Sequence, residues 1–450
     1  MNKKIKMITT EKEGKVLWQL TAPMLIGILG MIVFNLMDTF YVSRLGTIEL
    51  AAISFTFPVV MVISSIAQGL GVGITVTVSK ASGEGNREKQ TRLITWGLIL
   101  SVIVVVFFVI IGLLTIDPLF RLLGADAQTL PVIKEYMTIW YWGVIFVVIP
   151  MTGNSAIRGL GDTKTPAFVM LIAATFNTIL DPLLIFGIGP FPELGVRGAA
   201  IATLISRSVT FVVASYVLIF REKLISFKKQ SLENIKISLK EILHIGIPNA
   251  LTKMIIPISL GIITGLIASH GREAIAGFGI STRLEMFAIM PINALVSVLP
   301  VFIGQNLGAG KQERVHRGIA ISRNFVLIYG VAAYVVLIFI ARPAGFLFNN
   351  NPQVIDVVVQ YFRIVPISYG LLGIMQIGII SLNVLGKPIR AAALTLVQML
   401  GLYIPLALLG SRMFGISGIF IALVLSYLIM GPVSYKVASK NIEKIFIKPL

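Results

Sequence analysis

About twelve stretches of roughly 20 residues or more run through this chain with scarcely a charge in them, and they constrain its fold more than any other feature. They fall near residues 17–40, 52–79, 94–117, 136–157, 166–189, 196–220, 243–268, 275–303, 318–341, 359–384, 389–410 and 415–436. Each is long enough to cross a bilayer as a helix, and far longer than the roughly 10-residue alternating strands of a membrane barrel. Composition agrees: 56% of the 450 residues are hydrophobic and 13% are charged, against about a quarter charged in soluble domains. The expected fold is an all-α membrane protein of twelve transmembrane helices, since in hydrocarbon a helix satisfies its own backbone polar groups.

The formal net charge of +18 could point to nucleic acid, but its distribution points to topology. Alternate loops carry roughly 26 and roughly 7 Lys and Arg, a strong positive-inside bias. The rich side holds both termini, the loops "GEGNREKQTR" and "GLGDTKTP", and the linker with Arg221, Lys223, Lys228, Lys229, Lys236 and Lys240. Both termini are therefore expected in the cytoplasm, in a prokaryotic cytoplasmic membrane, with the basic loops against anionic lipid and no nucleic-acid partner. There is no cysteine, so disulfide and thiol chemistry are excluded. The first apolar run is too long for a secretory signal, and residues 1–16 read as a cytoplasmic surface segment.

The two halves of the chain repeat one pattern. Pro23 answers Pro248, Gly46 answers Gly271, Gly83 and Gly85 answer Gly308 and Gly310, and Leu160-Gly161 answers Leu385-Gly386, all at an offset of 225. Gly195 and Gly198 answer Gly415 and Gly418 at 220. The resulting division is a six-helix lobe over 17–220, a linker over 221–240, a second six-helix lobe over 241–436 and a tail over 437–450. Each half has an even number of helices, so both insert in the same orientation. Transporters built from such repeats bind their substrate between the halves.

The repeat also separates scaffold from chemistry. Asp38 aligns with Ile263, Asn177 with Leu400, Asp181 with Ile404 and Thr203 with Leu423, so the fold does not require these polar residues. An aspartate at the centre of a membrane helix costs roughly 2.5–3.5 kcal/mol, yet Asp181 stands in the apolar stretch "NTILDPLLI", one turn after Asn177. Asp38, Asp181, Asn177, Thr203 and Tyr136 all fall in the outer half of the bilayer, which predicts one intramembrane ion site. Two carboxylates in a poorly solvated pocket do not both ionise cheaply, so the pair is suited to taking up a proton. Asp38 is the expected carrier, tuned by the other four. The oxygens of Asp38, Asn177, Asp181 and Thr203 are equally a donor set for Na⁺, and sequence leaves H⁺ and Na⁺ as alternatives.

With Pro23, Asp38, "NTILDP" and "GVRGAAIAT" in view, the chain resembles the MATE family of multidrug and toxin extruders over nearly its whole length, and its DinF-type branch in particular. The resemblance implies efflux of bulky lipophilic, mainly cationic small molecules driven by H⁺ or Na⁺, by alternating access. By position, Asp38 matches the essential helix 1 carboxylate, Asn177 and Asp181 its helix 5 partners, Thr203 the helix 6 hydroxyl and Tyr136 the helix 4 phenol. Pro23 matches the proline around which helix 1 bending is proposed, and Asn154 a polar cavity residue. The acids of the NorM-type branch in helices 7 and 10 are missing: helix 7 offers Lys253, and helix 10 only Gln376 and Asn383.

The remaining intramembrane charges, Lys253, Arg283 and Glu285, have no counterparts in the first half, and Lys253 with Glu285 reads as a structural ion pair. Met31, Phe34 and Met151 are candidate cavity walls beside Asn154, since adaptable apolar side chains suit promiscuous binding. "GQNLGAGKQ" fails the phosphate-loop spacing, and no His or Cys cluster indicates a metal or an enzyme. Without a cofactor, transport energy has to come from an ion gradient. The alternative reading is a flippase for a lipid-linked sugar or another amphiphilic lipid. It is disfavoured because the helices of the first half look mostly neutral. The chain is expected to work as a monomer.

Overall fold

The apolar runs become helices, and among the described residues no strand occurs. In the computed structural model the described residues are 3–42, 44–45, 47–226 and 230–447; Gly46 of the repeat and Lys228 and Lys229 of the linker lie outside them. The first half contains α1 (Lys3–Thr10), α2 (Glu13–Val42), α3 (Thr47–Gly83), α4 (Arg87–Leu122), α5 (Thr129–Gly143), α6 (Ile145–Gly159), α7 (Lys164–Ile185) and α8 (Gly195–Tyr216). The second contains α9 (Leu232–Ala268), α10 (Arg272–Ala288), α11 (Met290–Gly308), α12 (Gln312–Phe348), α13 (Pro352–Ile364), α14 (Tyr369–Val384), α15 (Pro388–Leu396) and α16 (Ile404–Ile447).

Ten helical stretches are long and apolar enough to cross a membrane, and α5 with α6, bent by 42°, makes an eleventh. The last stretch, Pro388–Lys444, has 57 residues; at roughly 1.5 Å per residue it is about 85 Å long, enough for two crossings. Gly415 divides it, with φ 61° and ψ −140°, a conformation that glycine reaches without a Cβ clash. Twelve spans result, as the sequence predicts. The duplication extends to the irregularities. The α5–α6 break comes at Val144, and a 3₁₀ turn over Val365–Ser368 separates α13 from α14, at nearly the repeat offset.

The chain forms two compact units, Ala22–Ala250 and Met1–Thr21 with Leu251–Leu450. Their boundaries fall inside α2 and α9, beside Pro23 and Pro248, and not in the 221–240 linker. Side chains at the loops after α3 and α11 explain this. Arg314 donates to the Ile8 carbonyl (3.2 Å), the Glu11 carbonyl (2.5 Å), the Asn306 Oδ1 (3.0 Å) and the Glu13 carboxylate (3.2 Å). Lys311 donates to the Thr9 carbonyl at 2.7 Å. These bonds attach α1 and the start of α2 to the second half. The start of α9 is attached to the first half in the same manner: Arg92 donates to Ser238 at 2.9 Å, and Lys89 faces Glu241 at 4.0 Å. Close backbone approach completes that contact, since a Cβ on Gly69 would lie 2.5 Å from the Ala250 nitrogen.

Arg314 is thus expected to hold the N-terminal segment in place. Its bonds to backbone carbonyls and to Glu13 are charge-assisted. Arg314→Ala should raise the rate of tryptic cleavage at Lys12 and Lys15 at least several-fold in detergent, with the transmembrane core left intact on a gel. Unchanged cleavage would show that apolar burial of Ile5 and Ile8 alone retains the segment.

Candidate ion-coupling site

Small residues bring α2 against α7. A Cβ on Gly27 would lie 2.8 Å from the Ala167 Cα, and one on Gly30 would lie 3.4 Å from Leu171. Residue numbers rise together on the two helices, so they run parallel. Continuing that register by two turns puts Asp38 within about a turn of Asp181. Helix α8 also packs on α7, and a Cβ on Gly198 would overlap the Leu184 carbonyl. The glycine in "GVRGAA" is therefore a packing requirement. It brings Thr203 up to the polar face of α7.

That face carries a bonded pair. Asn177 Nδ2 donates to Asp181 Oδ1 at 3.1 Å and stands 3.5 Å from Thr203 Oγ1. Asn177 and Asp181 are both 0% exposed. The other oxygen of each, Asn177 Oδ1 and Asp181 Oδ2, has no hydrogen-bond partner among the described residues. Buried polar atoms in native structures are nearly always partnered, and a carboxyl oxygen left over in this way is a place for a proton or a small cation. Asp38 and Asp181 repel one another electrostatically, and Tyr136 on α5 lies in the field of both.

Two polar contacts place Tyr136. Its neighbour Glu135 pairs with Arg197 at the start of α8. Asp126 precedes α5 and accepts from the Thr129 nitrogen (2.7 Å), the Thr129 hydroxyl (2.8 Å) and the Gln128 nitrogen (3.0 Å). The bonds from Thr129 hold the Asp126 carboxyl below the usual carboxylate range.

Sequence reading overlooked Arg207. It lies one turn after Thr203 on α8, its guanidinium sits 5.0 Å over the Phe34 ring, and its charge interacts with Asp38. The signal was present as a lone arginine in "ATLISRSVT", four residues beyond a site hydroxyl and hence on the same helical face.

The other predicted residues disperse. Pro23 stands at the unit boundary of α2. Asn154 is buried on α6, with an Oδ1 lacking a hydrogen-bond partner among the described residues. Phe34 lies under Arg207, Met31 is exposed, and Met151 packs on the apolar core around Ile133 and Met137. In the other unit the expected Lys253–Glu285 pair does not form. Glu285 accepts from the Tyr361 hydroxyl at 2.8 Å, and Lys253 and Arg283 point to the surface. A tyrosine one helix away satisfies the acid without a second buried charge.

Comparison with known proteins decides the family. A model of the MatE family matches residues 23–183 and again 248–409, two segments starting 225 residues apart. The chain belongs to the MatE family. A FAD transporter of Shewanella oneidensis is 40% identical over 432 residues, 96% of each chain. The probable multidrug resistance protein YoeA of Bacillus subtilis is 24% identical over 409 residues, 89% of this chain and 88% of its own. The crystal structure of the MATE transporter VcmN of Vibrio cholerae in its bent form superposes with a TM-score of 0.90 at 31% identity, covering 98% and 99% of the two chains. The MatE chain is thus a multi-pass membrane transporter.

Asn177→Leu introduces the residue of the repeat counterpart and leaves Asp181 without its donor, which should lower stability by about 1–3 kcal/mol. The double change Asn177→Leu/Asp181→Ile removes both partners and should return to within about 1 kcal/mol of the parent. Thermal unfolding of the purified proteins at neutral pH reads both. An additive loss in the double variant would mean that the pair supports the fold itself.

Proposed function

We propose that this MatE protein is a secondary active exporter that moves an organic substrate outward in exchange for protons. Asp38 is the principal proton carrier, and Asp181, Asn177, Thr203 and Tyr136 tune it. The observation that supports this reading best is the bonded Asn177–Asp181 pair, wholly buried and with one carboxyl oxygen to spare, beside a second carboxyl.

Charge arithmetic over Asp38, Asp181 and Arg207 then indicates the cargo. With both acids ionised the group carries one net negative charge; with both protonated it carries one net positive charge. A lipophilic cation is attracted by the first state and expelled by the second. Loading from the cytoplasm and release on protonation from outside follow from that change of sign. A single Na⁺ on the same oxygens would bring the group from one net negative charge to neutral, which removes the attraction without adding repulsion. The proton-loaded state also frees helix α2 from the charge near its outer end, which favours a bend at Pro23.

A second reading concerns an anionic cargo, and two observations favour it: the 40% identity to a protein named a FAD transporter, and Arg207 beside the coupling pair. A diphosphate-bearing dinucleotide is a dianion whose exit an inside-negative potential already drives, by about 4–5 kcal/mol per 100 mV. Such a cargo binds the proton-loaded, positive state, so acidification acts on it in the opposite direction.

Binding measured at several pH values therefore separates the readings. For a fluorescent lipophilic cation the affinity should fall at least ten-fold on acidification, and for FAD it should rise. In proteoliposomes, transport of the cargo that passes this test should follow an imposed pH gradient without Na⁺ and drop at least ten-fold in Asp38→Asn. Transport that requires a Na⁺ gradient would assign the same oxygens to Na⁺. Full activity in Asp38→Asn would remove Asp38 from coupling.

A further inference from the structure

The coupling group has a counterpart of different composition in the other unit. Tyr136 and Tyr361 occupy the same position in the two repeats, at the offset of 225. Each stands shortly before a break in its span, at Val144 and at Val365–Ser368. In the unit Ala22–Ala250, Tyr136 faces Asp38 and Asp181. In the unit containing Leu251–Leu450, the Tyr361 hydroxyl donates to Glu285 Oε2 at 2.8 Å. Glu285 belongs to α10, and its repeat counterpart is Val60. The scaffold therefore does not require an acid there any more than it requires one at Asp38.

Among the described residues no cation pairs with Glu285. Its interacting groups are Tyr361 on α13, Tyr369 at the start of α14, Tyr403 in the π-helical turn before α16, and Tyr427 on α16. Tyr329 on α12 donates to the Ala288 carbonyl at the α10–α11 break and faces Tyr369. The packed segment α11 has no titratable residue. On α10 itself, Arg283 is exposed. Among the described residues, neither Arg283 nor Lys253 forms an ion pair with Glu285. Glu285 is half-buried, and its tyrosine is set in tight apolar packing: Phe278, Tyr361 and Phe420 are at most 9% exposed, and Tyr361 meets Phe420 edge-on at 5.0 Å between centroids.

A carboxyl ringed by neutral phenols, with no cation to neutralise it, is stabilised in this setting by taking up a proton. Structural ion pairing, the usual reason for a charge in a membrane helix, is absent. We infer that Glu285, positioned by Tyr361, is a second proton-binding site, lying wholly within the unit that contains Leu251–Leu450. The tyrosine shared by both repeats donates to the acid in this unit and lies in the field of two acids in the other, while the acids come from α10 here and from α2 and α7 there. The site is independent of which cargo the transporter carries and of whether Asp38 couples.

Infrared difference spectra between alkaline and acid pH test this on the full-length protein in lipid nanodiscs, without cargo. Asp38→Asn/Asp181→Asn removes the acids of the first unit. Adding Glu285→Gln to that variant keeps a hydrogen-bonding amide at the site, and exposed carboxylates cancel between the two spectra. The expected result is one further pH-dependent carboxylic acid carbonyl band in the double variant that is lost in the triple. Tyr361→Phe should move that band to higher frequency, because a carbonyl relieved of its hydrogen bond is stiffer, whereas a merely structural tyrosine would leave it in place. Identical double and triple spectra across the accessible pH range would overturn the inference. A band unmoved by Tyr361→Phe would overturn the positioning role. Since neither result depends on transport, failure here is distinguishable from failure of the Asp38 assignment.

Discussion

Hydrocarbon gives a carboxyl three ways to persist: a proton, a counter-charge, or bonds from its own protein. The arrangement around Asp181 is shaped by that constraint. Its one full hydrogen bond comes from Asn177, a turn earlier on the same helix. Such a donor needs no partner helix, so the remaining oxygen stays available when neighbours move. Close packing then excludes water. Gly27 and Gly30 let α2 approach α7, and Gly198 lets α8 approach it as well. Replacing any of these glycines would push the helices apart and hydrate the carboxyl, and the energetic reason for it to hold a proton would weaken. Glycines that look like simple membrane packing thus set the dielectric around Asp181, on which the proposed coupling depends.

The same close approach explains why the units divide where they do. A proline removes one intrahelical hydrogen bond and bends its helix, and Pro23 and Pro248 sit beside the points where α2 and α9 pass from one unit to the other. Arg314, on the first turn of α12, fixes the first turns of α2, and Arg92, near the start of α4, holds those of α9. Each of these helices therefore has one end attached to each unit, with a weak point between. The polar linker is itself held to the first unit: Arg87, Trp96 and Thr95 bond into its residues.

Much of this was legible in the sequence, and the rest failed for definite reasons. Hydropathy marked all twelve spans, even the two over Pro388–Lys444 that are parted only by the kink at Gly415, because span length is fixed by bilayer thickness and not by local helix breaks. The repeat separated Asp38, Asn177, Asp181 and Thr203 from the scaffold, since a duplicated chain carries its own control. Arg207 escaped because topology explained so many basic residues that one within a span drew no notice. Glu285 was paired with Lys253 on depth alone. Depth says nothing about the rotational face of a helix, and it could not reveal that Tyr361, on a distant segment, was the nearer partner.

The aligned positions show what duplication preserved and what it left free. Tyr136 and Tyr361 are the same residue in the same place, and the span breaks beside them also correspond. The charges do not: Arg207 aligns with Tyr427, Asp181 with Ile404 and Glu285 with Val60. A break in a span leaves backbone groups to be satisfied by side chains, so polar residues beside it are tolerated whichever helix supplies them. Symmetry in the bends combined with asymmetry in the charges has an energetic consequence. Each proton carried inward through 100 mV supplies about 2.3 kcal/mol, but adding a third acid to the first unit would bring like charges into one dry pocket and raise the cost of ionising all of them. An acid in the other unit escapes that repulsion. Divergence between the halves is therefore a route by which a duplicated bundle can add an ionisable group without adding to the repulsion between Asp38 and Asp181.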